Sequence, residues 1–189
     1  MEYTFGSARI PAKINIQNLL NLIGITTYQE IATVKDKINE TVCQNYMNME
    51  CLIKNFKKYI TIFQQNEEGE IIGLVIFNIE SEYIKIHNLC ANIKGLGKIL
   101  LDKIKELSNI LKIKIELMPA PVMRLFQYYT DNGFIEEGKY MVYYPVIEDN
   151  DILPENKTIK SKGGKRKTLK SKSGKRKTIS KKYITKSVF

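Results

Sequence analysis

The chain has 189 residues, 43% of them hydrophobic, which is enough for one well-buried domain with extra segments. Its net charge of +10 comes from one place: Lys157–Phe189 carries 14 Lys or Arg and no acid, which leaves 16 basic against 20 acidic residues in positions 1–156. The charge therefore describes a tail, and a uniformly basic fold is excluded.

Three cysteines, Cys43, Cys51 and Cys90, form no Cys-x-x-Cys pair, and one is left over in any disulfide scheme. That predicts a reducing compartment. The longest apolar run, Ile71 to Phe77, is too short to cross a bilayer. With Glu2 and no basic-then-apolar order, the N-terminus predicts no secretory signal. The expected location is intracellular, cytoplasmic or nuclear, away from membranes. Abundant Ile, Lys and Asn with no Trp hint at an AT-rich genome, such as that of a large DNA virus or a protist.

Residues 1–26 form an N-terminal segment, read either with the 27–148 domain that follows or apart from it. A strand near Ser7–Ile10 and a short helix within Ile14–Ile23 are expected, with Pro11 between them. Thr27 with Glu30 reads as a capping box, and Ile31, Val34, Ile38 and Val42 continue at helical spacing to about Tyr46. Met49 to Phe56 predicts another helix. Tyr59–Gln64 and Glu70–Ile79 are rich in β-branched and aromatic residues around Asn66-Glu67-Glu68-Gly69, and so predict a hairpin. Gly73 within it signals a bulge or a close neighbour.

Tyr83 to Ala91 reads as a strand. It runs into Asn92-Ile93-Lys94-Gly95-Leu96-Gly97 and then a helix, in which Leu96, Ile99, Leu100, Ile104 and Leu107 share a face. Strand, glycine turn and helix together place free N–H groups and a positive dipole end where a phosphate could sit. The loop fits neither the Gly-x-x-x-x-Gly-Lys nor the three-glycine dinucleotide pattern. After the helix, which is expected to end near Ser108, Leu111–Leu117 alternates as a strand. A right-handed crossover should set it parallel to 83–91. Val122, Leu125, Phe126 and Tyr129 mark an amphipathic helix capped at Asn132-Gly133, and a last strand follows from Lys139 to Ile147. The fold class is α/β: one mixed sheet with an antiparallel N-terminal half, a β-α-β crossover and helices on both faces.

Two motifs in this order resemble the GCN5-related N-acetyltransferase (GNAT) superfamily. One is the Gln/Arg-x-x-Gly-x-Gly/Ala loop, matched at Asn92–Gly97. The other is Tyr-x-x-x-Gly-Phe, matched at Tyr129–Phe134. The likeness covers about residues 27–148. It implies the acyl-CoA N-acyltransferase fold, with acetyl-CoA as co-substrate, a primary amine as acceptor and direct attack in a ternary complex. Carried over, Leu89, Cys90 and Ala91 would offer backbone groups to the pantetheine arm. Lys94, Gly95, Leu96, Gly97, Lys98 and Ile99 would hold the pyrophosphate, and Tyr129 would serve as general acid at the thioester sulfur. His87, the one histidine, stands two residues before Leu89 and is the candidate base; strand alternation puts it on the face of Lys85 and Leu89. Glu82 and Glu116 are further candidates, and no metal is expected. Asn92 stands where the family usually has Gln or Arg, and Val122 where many members have Asn.

Asp149–Asn156 reads as a linker. Beyond it, Lys160–Leu169 is repeated as Lys170–Ile179 with two differences. So basic and apolar-poor a segment, 149–189, is expected to be disordered and to attract nucleic acid. The rival reading of the whole chain is thus a catalytically inactive GNAT-like nucleic-acid-binding or packaging protein. Protein lysine, protein N-terminus, polyamine, aminoglycoside and small amine all remain open as acceptors.

Overall fold

The structure, a computed structural model, describes residues 1–7, 9–38 and 48–146. The expected helix continuation Val42–Tyr46, the end of the last strand at Ile147, the linker and the basic tail lie outside the described residues.

Eight strands form one sheet in the order β2-β1-β3-β4-β5-β6-β8-β7. β1 (Glu2–Phe5), β3 (Ile60–Gln65), β4 (Ile71–Ile79) and β5 (Tyr83–Ala91) pair antiparallel in succession. α4 (Leu96–Leu111) then crosses over, and β6 (Lys114–Leu117) returns parallel to β5. β8 (Tyr140–Tyr143) adds antiparallel to β6, and β7 (Ile135–Glu137) to β8.

Helices cover both faces. Against one face pack α1 (Ile16–Leu22), α4 and α5 (Met123–Asp131), through Leu20, Leu100, Ile104, Leu107 and Tyr129 onto Val75, Phe77 and Ile84. Against the other pack α2 (Ile31–Val34) and α3 (Met49–Lys58), through Val34, Leu52 and Phe56 onto Phe63, Leu74 and Ile76. Because β4 is covered on both sides, it runs apolar from Ile71 to Phe77 instead of alternating. Each of these side chains contributes about 1.5–3 kcal/mol by leaving water. This is the mixed α/β architecture expected from the sequence.

Several boundaries differ from expectation. The first strand is Glu2–Phe5, not Ser7–Ile10, because Glu2 to Phe5 pairs with Ile60 to Phe63. Thr27 does not cap a helix. Thr27–Tyr28 is a two-residue strand, β2, parallel to β1, and Gln29 N–H extends that pairing to the Tyr3 carbonyl. The helix starts instead at Ile31 and passes into a 3₁₀ turn over Lys35–Lys37. α4 runs to Leu111, three residues beyond Ser108, and closes on Lys112 in the left-handed region at φ 57°. β6 therefore begins at Lys114 rather than Leu111. The single last strand is a hairpin, β7–β8, turning at Gly138. Its first strand, Ile135-Glu136-Glu137, is exposed and acidic, so it carries no apolar signal.

Candidate functional site

β4 and β5 fall out of step once. Ile76 faces Asn88 and Phe77 faces Ile86, so His87 is an extra residue on β5. Such a bulge resets which face the following side chains take. Ile84 and Ile86 lie in the α1–α4–α5 layer; beyond the bulge Leu89 and Ala91 take that face, while Cys90 joins the α2–α3 layer. Sequence alternation had put His87 and Leu89 on one face, and the bulge separates them.

The same point marks the end of another pairing. β6 follows β5 only from Tyr83–Lys114 to Ile86–Leu117. From His87 to Ala91, β5 continues with no described strand on that edge. Two neighbouring strands thus part, and β5 from His87 onward borders the gap.

α4 begins at the far end of this stretch. Asn92 N–H donates to the Ile72 carbonyl, which ties the loop to β4. Gly95 is the N-cap, at φ +90°, a conformation that strains any residue with a Cβ. It offers no side-chain cap. Leu96 N–H turns back to the Ile93 carbonyl and Lys98 N–H to that of Gly95, so what the sixteen-residue helix presents at the loop is chiefly the positive end of its dipole.

α5 closes the third side. Its Tyr129 ring meets Tyr128 at 5.2 Å and Phe134 at 5.7 Å, both edge-to-face, which holds it in place. The helix ends as expected, with Gly133 at φ +83° and Phe134 buried.

These elements enclose a cleft of about 280 Å³. Of the residues singled out in the sequence, Leu89, Ala91, Gly95, Gly97, Lys98 and Tyr129 line it. Burial pushes the Tyr129 phenol up to about 12, with Tyr128 adding to the effect, so it stays protonated. Lys98 is exposed and bridged to Asp102 at 2.7 Å. The other singled-out residues lie elsewhere. Leu96 is buried beneath the loop against Gly73, Lys94 is exposed, and Ile99 is half exposed. Cys90 is 9% exposed on the opposite face and disulfide-bonded, so it departs from the expectation of reduced cysteines; Cys51 is free and exposed.

Three lining residues, Ile93, Leu125 and Tyr128, were not among the sequence candidates, and Tyr128 is the one with a polar group to offer. Tyr128 lines the cleft with a buried hydroxyl that has no hydrogen-bond partner among the described residues. A Cβ on Gly97 would lie 3.6 Å from that oxygen. Helical periodicity had put Tyr128 off the apolar face, and only the cleft gives it significance.

His87 lies on the other side of the sheet. Its ring stacks on Tyr59 at 3.9 Å, nearly parallel, and Nε2 is 2.7 Å from Asn78 Oδ1. The Asn78 amide donates to Glu80, which turns Oδ1 toward the imidazole, so Nε2–H is the donor. Burial, with Lys85 and Lys58 nearby, lowers the His87 pKa to about 4. Among the described residues, no cluster of His, Cys, Asp and Glu is arranged to hold a metal, and no helix is long and apolar enough to cross a membrane.

No protein-family model and no curated protein sequence matches the chain. Among solved structures it is similar to the ribosomal-protein-S18-alanine N-acetyltransferase of Escherichia coli, at 15% identity and TM-score 0.50, over 62% of this chain and 92% of that one. Tetrahymena GCN5 matches at 14% identity and TM-score 0.49, over 61% and 90%. The aminoglycoside 6'-N-acetyltransferase of Enterococcus faecium matches at 10% and 0.47, over 62% and 93%. With its mixed eight-stranded sheet, parted central strands and glycine-started crossover helix, the chain has the fold of the GCN5-related N-acetyltransferase superfamily.

Proposed function

We propose that the chain is an acetyl-CoA-dependent N-acetyltransferase that moves an acetyl group directly to a primary amine. The observation that carries this reading is the gap beside Leu89–Ala91, which runs without a break into the N-terminus of α4 and is overlooked by Tyr129. The cleft fits such a co-substrate in its chemistry. Its wall of Leu89, Ala91 and Leu125 suits an apolar arm, no carboxylate among the described residues lines it, and the helix start suits phosphates. Acetyl-CoA, when bound, supplies the activated acyl group and a thiol leaving group.

The chain's own groups divide the work. Backbone groups of β5 beside the gap orient the acyl carbonyl, and an N–H there takes up the charge that grows on its oxygen. The amine nitrogen forms the new bond to the acyl carbon, the carbon–sulfur bond breaks, and the amine proton leaves to water. Tyr129 donates a hydrogen bond to the departing sulfur. With its phenol near 12 and a free thiol near 8.5, full proton transfer to the thiolate is uphill, so hydrogen bonding rather than complete donation is its role. His87 faces away from the cleft and, at a pKa of about 4, is a weak base for an amine.

The test is a thermal shift with acetyl-CoA, followed by free-thiol release over a panel of amines. A rise in Tm with thiol release supports the reading, and neither effect at saturating acetyl-CoA removes it. The second reading, a binding or packaging protein acting through Lys157–Phe189, is favoured by the 14 basic residues there. It predicts salt-sensitive DNA binding that disappears on deleting 157–189.

A further inference from the structure

On the sheet face opposite the cleft lies a second, larger pocket of about 600 Å³. Its lining includes Arg9, Lys58, Lys85, Glu80, Tyr59 and His87, three cations against one carboxylate. That balance opposes the body of the chain, which carries more acid than base. The carboxylate is already engaged, since Glu80 accepts from the Asn78 amide. Among the described residues, Arg9, Lys58 and Lys85 enter no salt bridge.

The pocket is built, not incidental. Gly6 N–H and Ser7 N–H donate to the Tyr59 and Lys57 carbonyls at 2.9 and 3.0 Å, so the chain leaving β1 is pinned where α3 meets β3. This carries Arg9 to the rim. Lys58 lies over the Tyr59 ring, 4.9 Å from its centre, and that ring stacks on His87. Lys85 stands on β5 two residues before the bulge. Burial is the main reason His87 is a poor base, and the charges of Lys85 and Lys58 beside it add to that.

His87 is also where β5 loses β6. The pocket on one face and the cleft on the other therefore reach the same stretch of β5 beyond its pairing with β6, the pocket at His87 and the cleft at Leu89. We propose that this pocket is the acceptor site, and that it takes an amine carrying an anionic group, a carboxylate or a phosphate. The proposal rests on the acetyltransferase reading. The anionic group sits among Arg9, Lys58 and Lys85, and the amine points past His87 to the gap. The same positive field disfavours the ammonium form and favours the neutral amine that must attack. The field thus assists deprotonation at a site whose one imidazole is a poor base. Polycations, the chain's own lysine-rich tail included, are repelled.

The test uses the full chain and its one histidine, whose imidazole signals report on this pocket alone even where phosphate also touches the tail. Inorganic phosphate is titrated while those signals are followed by NMR. A saturable shift is expected, weakened about tenfold in Lys85→Gln and in the rim variant Arg9→Gln, each of which removes one charge-assisted contact. Acetyl transfer is then compared for phosphoethanolamine, β-alanine, ethanolamine and spermidine. Phosphoethanolamine or β-alanine should exceed ethanolamine at least tenfold in kcat/KM, and the ratio of the first two separates phosphate from carboxylate. A preference for ethanolamine or spermidine overturns the proposal and leaves the acetyltransferase reading intact. A saturable phosphate shift with no amine acetylated overturns the acceptor assignment together with that reading. No shift with phosphate overturns the anion site itself.

Discussion

Gly73 of β4 and Leu96 of α4 are packed so closely that a Cβ on the glycine would lie 2.5 Å from Leu96 Cδ2. The contact seats the first turn of α4 on the sheet, next to the bulge where Gln64 faces Gly73 and Gln65 faces Ile71. The start of the helix, and with it the proposed phosphate cradle, is thus positioned by a side chain that β4 lacks.

Gly73→Ala should therefore destabilise the protein by about 1–3 kcal/mol through overpacking. It should also weaken acetyl-CoA binding, because Leu96 must move. Leu96→Ala alone should cost about 2–4 kcal/mol as a cavity. The double variant should cost less than the sum, since each change makes room for the other. Urea unfolding of the four proteins measures the coupling, and strict additivity would refute the contact as the cause.

Tyr128 and Tyr129 adjoin in sequence but make separable predictions. Tyr128 has a buried hydroxyl with no partner among the described residues, which costs about 1–3 kcal/mol of desolvation. Tyr128→Phe should leave stability unchanged or raise it by about 1 kcal/mol, while raising KM for acetyl-CoA if the hydroxyl is reserved for the co-substrate. Tyr129→Phe should lower kcat by roughly 10–100-fold, below the full range of general-acid effects, because the group donates a hydrogen bond without surrendering its proton. Steady-state kinetics of both variants decide this. A lowered kcat in Tyr128→Phe with none in Tyr129→Phe would exchange their roles.

The contrast between these neighbours explains what the sequence could reveal. Tyr129 was legible because it falls on the apolar stripe of α5 and inside the Tyr-x-x-x-Gly-Phe match. Tyr128 falls outside both. The hairpin, β5, the crossover and the Gly133 stop were legible because each is written in local pattern. The bulge at His87 was not, since it arises from pairing with β4, and nothing in Ile86-His87-Asn88 marks an added residue. Missing it, alternation put His87 on the wrong side relative to Leu89. Arg9, Lys58 and Lys85 were likewise unreadable as a group. They come from a loop, a helix end and a strand, and only the close passage of the β1 exit past α3 assembles them.

His87 makes the last prediction, and its sign follows from its pKa. The fold lowers it from 6.5 to about 4, so the folded protein favours the neutral ring. Between those values the unfolded chain binds a proton that the folded chain refuses. Stability from this group is therefore fully present above about pH 6.5 and is lost as pH falls toward 4. The ring is only half buried, so the contribution is on the order of 1–2 kcal/mol after solvent screening. Urea unfolding at pH 7.0 and pH 4.5 should show wild type losing that much more than His87→Gln, since the carboxylates that also titrate are common to both. Equal losses would mean that the ring is not held neutral by its burial and by Lys85 and Lys58. The same value predicts that the pH–rate profile carries no ionisation of this histidine near pH 6.5. An inflection there that vanished in His87→Gln would restore it as the base.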